Sequence, residues 1–114
     1  MSNYTPDVWV VLEFDHPDLE TPTRKVFAGW YGGFAGSNSW QLNSGIEAVR
    51  RSGDWFEFVG YSGSVYRCGM SNYHMSSLMQ GVLALWLKQA DQRGDTQIRI
   101  LTLDEVLEMP YNIV

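Results

Sequence analysis

The chain has 114 residues, 45% of them hydrophobic and 14% aromatic, enough for one domain spanning 1–114 with its own core. Its 13 acids outnumber its 8 Lys and Arg, giving a net charge of −5, and this balance argues against binding a nucleic-acid backbone, which needs a basic stripe to release counterions. A single cysteine, Cys68, excludes an internal disulfide and suits a reducing compartment.

Met1 to Pro6 reads as a loose end without the basic start and apolar run of a signal peptide, so the expected location is the cytoplasm. Val8 to Phe14 is a near-continuous apolar run, as a central strand requires. Asp15 to Thr23 must be a loop, because Pro17 and Pro22 remove ladder donors and fix φ. The loop is acidic: the first 20 residues hold five acids, among them Asp15, Asp18 and Glu20, and no Lys or Arg. Such a surface can meet a basic patch on another protein, including one that normally receives nucleic acid. Arg24 to Tyr31 is a second strand and completes a hairpin with a long connection. Gly32-Gly33 and Gly36-Ser37-Asn38 then form a turn; without a GKS or GKT ending they are not a phosphate loop.

Trp40 to Leu42 and Ile46 to Arg50 suit short strands around Asn43-Ser44-Gly45, and Arg51 to Asp54 makes a hairpin turn into Trp55. The stretch Asp54 to Gly69 reads as a second hairpin, since Trp, Phe, Val and Tyr dominate both arms. A type II′ turn at Gly63-Ser64 would set Tyr61 opposite Tyr66 and Val59 opposite Cys68; a type I′ turn at Ser62-Gly63 would shift every pair. The first pairing joins like with like across the strands.

From Tyr73 to Arg93 the residues Met75, Met79, Val82, Trp86 and Ala90 recur at helical spacing, flanked by Leu78, Leu83, Leu85 and Leu87. This predicts a long helix with a broad buried face, capped by Ser71 or Asn72 and ended by Gly94. Its Ser, Gln, Lys and Asp residues exclude a membrane span. Gln97 to Leu101 alternates like a strand, and self-association through it follows if it lies at a sheet edge. Thr102 and Glu105 form a capping box that opens a short helix, Leu103 to Met109, ended by Pro110. Tyr111 to Val114 reads as a second loose end. The elements together predict an α+β fold: a mainly antiparallel β-sheet packed against one long α-helix, with a short C-terminal helix.

Catalytic constellations are scarce. Gly60-Tyr61-Ser62-Gly63-Ser64 has Ser where a nucleophile elbow needs its second Gly, and a hairpin is the wrong context for one. Cys68 and His74 could form a thiolate pair only if the corner at Gly69-Met70-Ser71 folds His74 back over the strand end. His16 beside Asp15 and Asp18 has metal-compatible atoms, but two His and one Cys in the whole chain make no zinc set. No metal, cofactor or catalytic residue is therefore expected.

The aromatic excess stands out: five Trp, six Tyr and five Phe. Trp9, Phe56 or Phe58, and Trp86 should fill the core. Phe27, Trp30, Tyr31 and Phe34 cover both faces of the second strand and its Gly-rich exit, and exposed Trp and Tyr are the usual makings of interface hot spots.

The runs Gly-Trp-Tyr-Gly-Gly (29 to 33), Ser-Trp-Gln-Leu-Asn-Ser-Gly-Ile (39 to 46) and Gly-Tyr-Ser-Gly-Ser-Val-Tyr-Arg-Cys (60 to 68) resemble small accessory proteins encoded by bacterial viruses. That class often inhibits host machinery, anti-CRISPR proteins among them, so the resemblance implies a non-enzymatic inhibitor of a bacterial host or defence protein. The expected anchors are Trp30, Tyr31, Phe34 and Trp40, with Asp15, Asp18 and Glu20 as the electrostatic partner. The alternative is a small-molecule or nucleotide-binding module using the aromatic sheet face and the Gly-rich turn.

Overall fold

The structure, a computed structural model, describes residues 3–33 and 36–113. In chain order the elements are β1 (Asn3–Tyr4), β2 (Val8–Asp15), β3 (Thr23–Trp30), β4 (Ser39–Leu42), β5 (Ile46–Ser52), β6 (Trp55–Gly60), β7 (Val65–Gly69), α1 (Ser77–Arg93), β8 (Gln97–Ile100), α2 (Leu103–Leu107) and β9 (Asn112–Ile113). The fold is α+β and mainly antiparallel, but its strands form two sheets where the sequence suggested one. Sheet A has the order β1-β7-β6-β5-β9 and sheet B the order β4-β3-β2-β8.

Alternation along β2 explains the layering. Trp9 and Val11 face sheet A, where they join Val26, Ala28, Val49, Phe56, Phe58, Tyr66, Cys68 and Val106 in one core. Val8, Val10 and Leu12 point the other way and pack with Phe27 against Met79 and Leu83 of α1. Sheet B is therefore the middle layer, which is why β2 reads as an apolar run rather than as an alternating one. The Trp9 indole Nε1 donates to Gly69 O at 2.6 Å, a buried bond that joins the two sheets at one end.

The β6–β7 hairpin forms with neither of the two expected turns. Gly60 N donates to Ser64 O (2.8 Å) and Gly63 N to Gly60 O (2.9 Å), with Gly63 at φ 90°, so the loop has three residues, Tyr61-Ser62-Gly63. This loop pairs Phe58 with Tyr66 and Phe56 with Cys68, and all four side chains lie buried in the core. The expected facing of Tyr61 and Tyr66 would have turned Phe56 and Phe58 outward. An odd-numbered slip reverses the faces of a strand, and burial of two Phe side chains outweighs one matched tyrosine pair.

Strands β4 and β5 form as expected but belong to different sheets: β4 pairs with β3, and β5 pairs with β6. The turn between them carries the chain from sheet B to sheet A. Asn43 anchors it, its backbone N donating to Val26 O (3.0 Å) and its side-chain Oδ1 accepting from Val26 N (2.8 Å).

Each expected loose end holds a short paired strand among its described residues, since β1 lies parallel to β7 and β9 parallel to β5. They form the two edges of sheet A. The β8 strand is an edge of sheet B, and β4 is the other.

Helix α1 begins at Ser77, four residues later than the periodicity predicts, with Ser76 as its N-cap accepting from Met79 N. Tyr73 is the reason. Its hydroxyl donates to Leu101 O (2.6 Å) and accepts from Val11 N (3.1 Å), which holds residue 73 against β2 rather than in a helix. A 3-10 turn, Met70–Asn72, links β7 to this point. Gly94 ends α1 in the left-handed conformation, φ 76°, and α2 carries the expected Thr102–Glu105 capping box.

Candidate interaction surface

The expected anchors do not form one patch. Trp30 sits opposite Ser39 on the face of sheet B that looks toward sheet A, where its indole donates to Thr5 O (3.1 Å) and its ring meets Tyr4 edge-on at 6.1 Å. It fastens the N-terminal segment. Tyr31 is 49% exposed, and its backbone N donates to Asp7 Oδ2 at 2.8 Å. Phe34 lies outside the described residues. Trp40 is paired with Gly29 and so lies on the other face of sheet B, the one that carries α1. Its ring packs edge-on against Phe27 at 5.8 Å and Trp86 at 5.3 Å, and it stays 39% exposed.

The acidic loop is at the far end of the β2–β3 hairpin from Trp30, since Val8 pairs with Gly29 and Phe14 with Thr23. The seven steps along β3 at about 3.3 Å each put roughly 23 Å between its ends. Asp15, Asp18 and Glu20 are all exposed. His16 ties the loop down: its Nδ1 accepts from Asp18 N at 3.0 Å, so its Nε2 carries the proton and donates to Asp95 Oδ2 at 3.0 Å. That bond and a further one from Thr96 hold the Asp95 carboxyl below its ordinary pKa. The loop, Gly94, Asp95 and Gln97 thus wall a shallow polar concavity beside the C-terminal end of α1. Among the described residues no group of three His, Cys, Asp or Glu is placed to hold a metal.

The outer face of α1 carries the apolar surface that the sequence reading assigned to the core. Met79, Leu83 and Ala90 are buried against sheet B, but Leu78 is 38% and Leu85 55% exposed. Leu78, Val82 and Leu85 are spaced i, i+4, i+7 and so share one face of the helix. Half-buried Val82 and Trp86 continue this stripe toward Trp40. Gly81 lies beside the stripe, and a Cβ built there meets nothing within 4 Å. The signal was visible as an excess of leucine around the periodic set. A helix lying on one sheet can bury only one side, and three or four residues fill it.

The possible nucleophile is disarmed by its position. Cys68 is fully buried between the sheets, and burial pushes its thiol pKa far up, so it stays protonated. His74 is exposed on the corner before α1, its backbone N donating to Asn72 O at 2.9 Å. The Gly-rich turn closes on itself through Gly33 N to Ser37 O (2.7 Å) and Gly36 N to Gly33 O (2.8 Å). Those amides are therefore not turned toward a ligand.

No family model, curated protein or solved structure matches this chain. Among the described residues no helix is long and apolar enough to cross a membrane.

Proposed function

We propose that this protein is a non-enzymatic binding protein that occupies the surface of a partner protein through α1 and Trp40. The carrying observation is that Leu78 and Leu85 stand exposed on one face of α1 in line with Val82, beside Trp40 packed on Trp86. A contiguous apolar strip of this kind on a chain whose net charge is −5 marks a protein contact rather than ordinary surface. Lengthwise docking of a partner on such a face is a recurrent mode of recognition. Helix α1 is 17 residues long, about 25 Å, and its C-terminal end leads into the wall shared with Asp15, His16 and Asp95. A partner lying along it would meet apolar side chains first and the acidic loop last, so Asp15, Asp18 and Glu20 keep the role of electrostatic partner. The phage-type resemblance makes a bacterial host or defence factor in the host cytoplasm the class of partner to test first, including one whose basic surface receives nucleic acid.

A tagged pull-down from nuclease-treated bacterial lysate, with and without expressed CRISPR effector complexes, tests this reading. A stoichiometric partner retained by the wild type and lost by Leu78→Glu/Leu85→Glu, with unchanged circular dichroism, supports it. Retention by that variant removes α1 from the proposal. Replacing Asp15, Asp18 and Glu20 with Ala should slow association severalfold at low salt and little at high salt.

A further inference from the structure

A second feature on the same helix has different chemistry. Strand β4 stops at Leu42, where the C-terminal half of α1 stands over Phe14 and Ile98 of sheet B. The result is a cleft of about 350 Å³, at the small end of the range for small-molecule sites. Its walls are apolar: Phe14 from β2, Leu42 from β4, Ile98 from β8, and Trp86 and Ala90 from α1. These residues lie on the α1-facing side of sheet B through the pairings Phe14 with Ile98 and Phe27 with Leu42.

The charge on the lining of the cleft runs against the charge of the chain, with the Asp95 carboxylate held behind the wall by Thr96 Oγ1, a lining group that donates to it at 3.1 Å. Of 13 acids in the sequence, none lines it; the charged lining residue is Arg93. Lys25 approaches from the sheet side, its Nζ 5.5 Å from the centroid of the Phe14 ring. Neither cation is ion-paired among the described residues. Gln89 adds an amide at the rim. The partial negative charge at the C-terminal end of α1 opposes an anion here, and two full positive charges outweigh a partial one.

We propose that this cleft binds a small carboxylic acid with a flat apolar body, its ring between Phe14 and Trp86 and its carboxylate at Arg93 and Lys25. The apolar walls supply affinity, and the two cations select the acid over a neutral molecule of the same shape. Arg93 is suited to this role because its planar fork accepts a carboxylate side-on. Arg93 is exposed and Lys25 half-buried, so water screens both, and the expected preference is about three- to fivefold.

The probes are 2-naphthylacetate and 2-naphthylacetamide, which share a body and differ in charge, titrated into the full chain and followed by backbone amide NMR shifts. The proposal expects shifts centred on Phe14, Leu42, Ala90 and Ile98, with the acid binding about three- to fivefold tighter than the amide. Arg93→Gln/Lys25→Gln should erase that preference and leave the Kd of the amide unchanged. Leu78→Glu/Leu85→Glu should bind both probes as the wild type does, which separates this site from the protein-binding face. Shifts elsewhere, no shifts up to the solubility of the probes, equal affinities for acid and amide, or a preference that survives the double Gln variant would each overturn it.

Discussion

Gly29→Ala tests how α1 is seated on sheet B. A Cβ at Gly29 would come within 2.4 Å of Met79 Sδ, 3.2 Å of Val8 Cγ2 and 3.3 Å of Met79 Cγ. Met79 has no exposed surface, and its sulfur accepts from Ser76 N (3.5 Å) at the N-cap of α1. The methyl group therefore drives into the first turn of the helix. Overpacking of this kind costs about 1–3 kcal/mol. Gly→Ala at a strand position with negative φ gains about 0.5 kcal/mol from the unfolded chain, which leaves a net loss of about 1.5 kcal/mol, or a drop in Tm of roughly 6 °C. Met79→Ala should by itself cost about 2–4 kcal/mol through the cavity it leaves. In the double variant the new methyl enters space that the thioether has left, so its destabilisation should fall short of the sum of the two by about 1 kcal/mol or more. Urea unfolding of the four proteins measures this. A Gly29→Ala variant as stable as the wild type, or a double variant that is strictly additive, would refute the close approach of helix and sheet at this point.

Asn43→Ala should cost about 1–3 kcal/mol in urea unfolding, because it strands the buried Val26 N–H that Asn43 Oδ1 now accepts; a loss within error would mean that another group satisfies Val26. Cys68 should react with iodoacetamide only as fast as the protein unfolds, its thiol being buried and protonated; rapid alkylation in native buffer would revive a reactive-thiol reading. Glu105 has a depressed folded-state pKa, first because it accepts from Thr102 N and next because it pairs with Arg99. A lowered folded pKa means that its contribution is fully present above the ordinary carboxylate range and is lost as pH falls through the lower folded value. Glu105→Gln should therefore flatten the acid limb of a Tm-against-pH curve, and an unchanged limb would show that the pair contributes nothing.

The elements legible in the sequence were those whose pattern is local. The run Val8 to Phe14, the Thr102–Glu105 capping box and the stop at Gly94 were read correctly because apolar continuity, a cap spacing and a left-handed glycine each act over a few residues. What was missed depends on partners distant in the chain. The hydroxyl of Tyr73 bonds residues 62 and 28 positions away, and this delays the start of α1. The termini gain structure only by joining the edges of a sheet built from the middle of the chain. Trp30 and Trp40 are separated for the same kind of reason. Trp30 and Trp40 are near in sequence, but a strand and its antiparallel neighbour place them on opposite faces of sheet B.

The two exposed features open to association can be ranked by what surrounds them. Strand β8 is an edge with four residues, and its Arg99 is engaged by Glu105 at 2.7 Å and by Glu13 at 3.3 Å. A short edge carrying a charged side chain resists the addition of another strand. The stripe Leu78, Val82 and Leu85 has no such protection, and Gly81 beside it leaves room for a partner to approach the helix backbone. A glycine inside a helix costs about 1 kcal/mol relative to alanine, and among the described residues a Cβ at Gly81 would meet nothing within 4 Å, so packing within the fold does not call for glycine there. Sheet A ends in the two-residue strands β1 and β9 and sheet B in the four-residue strands β8 and β4, edges too short to add a strand readily, which leaves the outer face of α1 as the surface least defended against association.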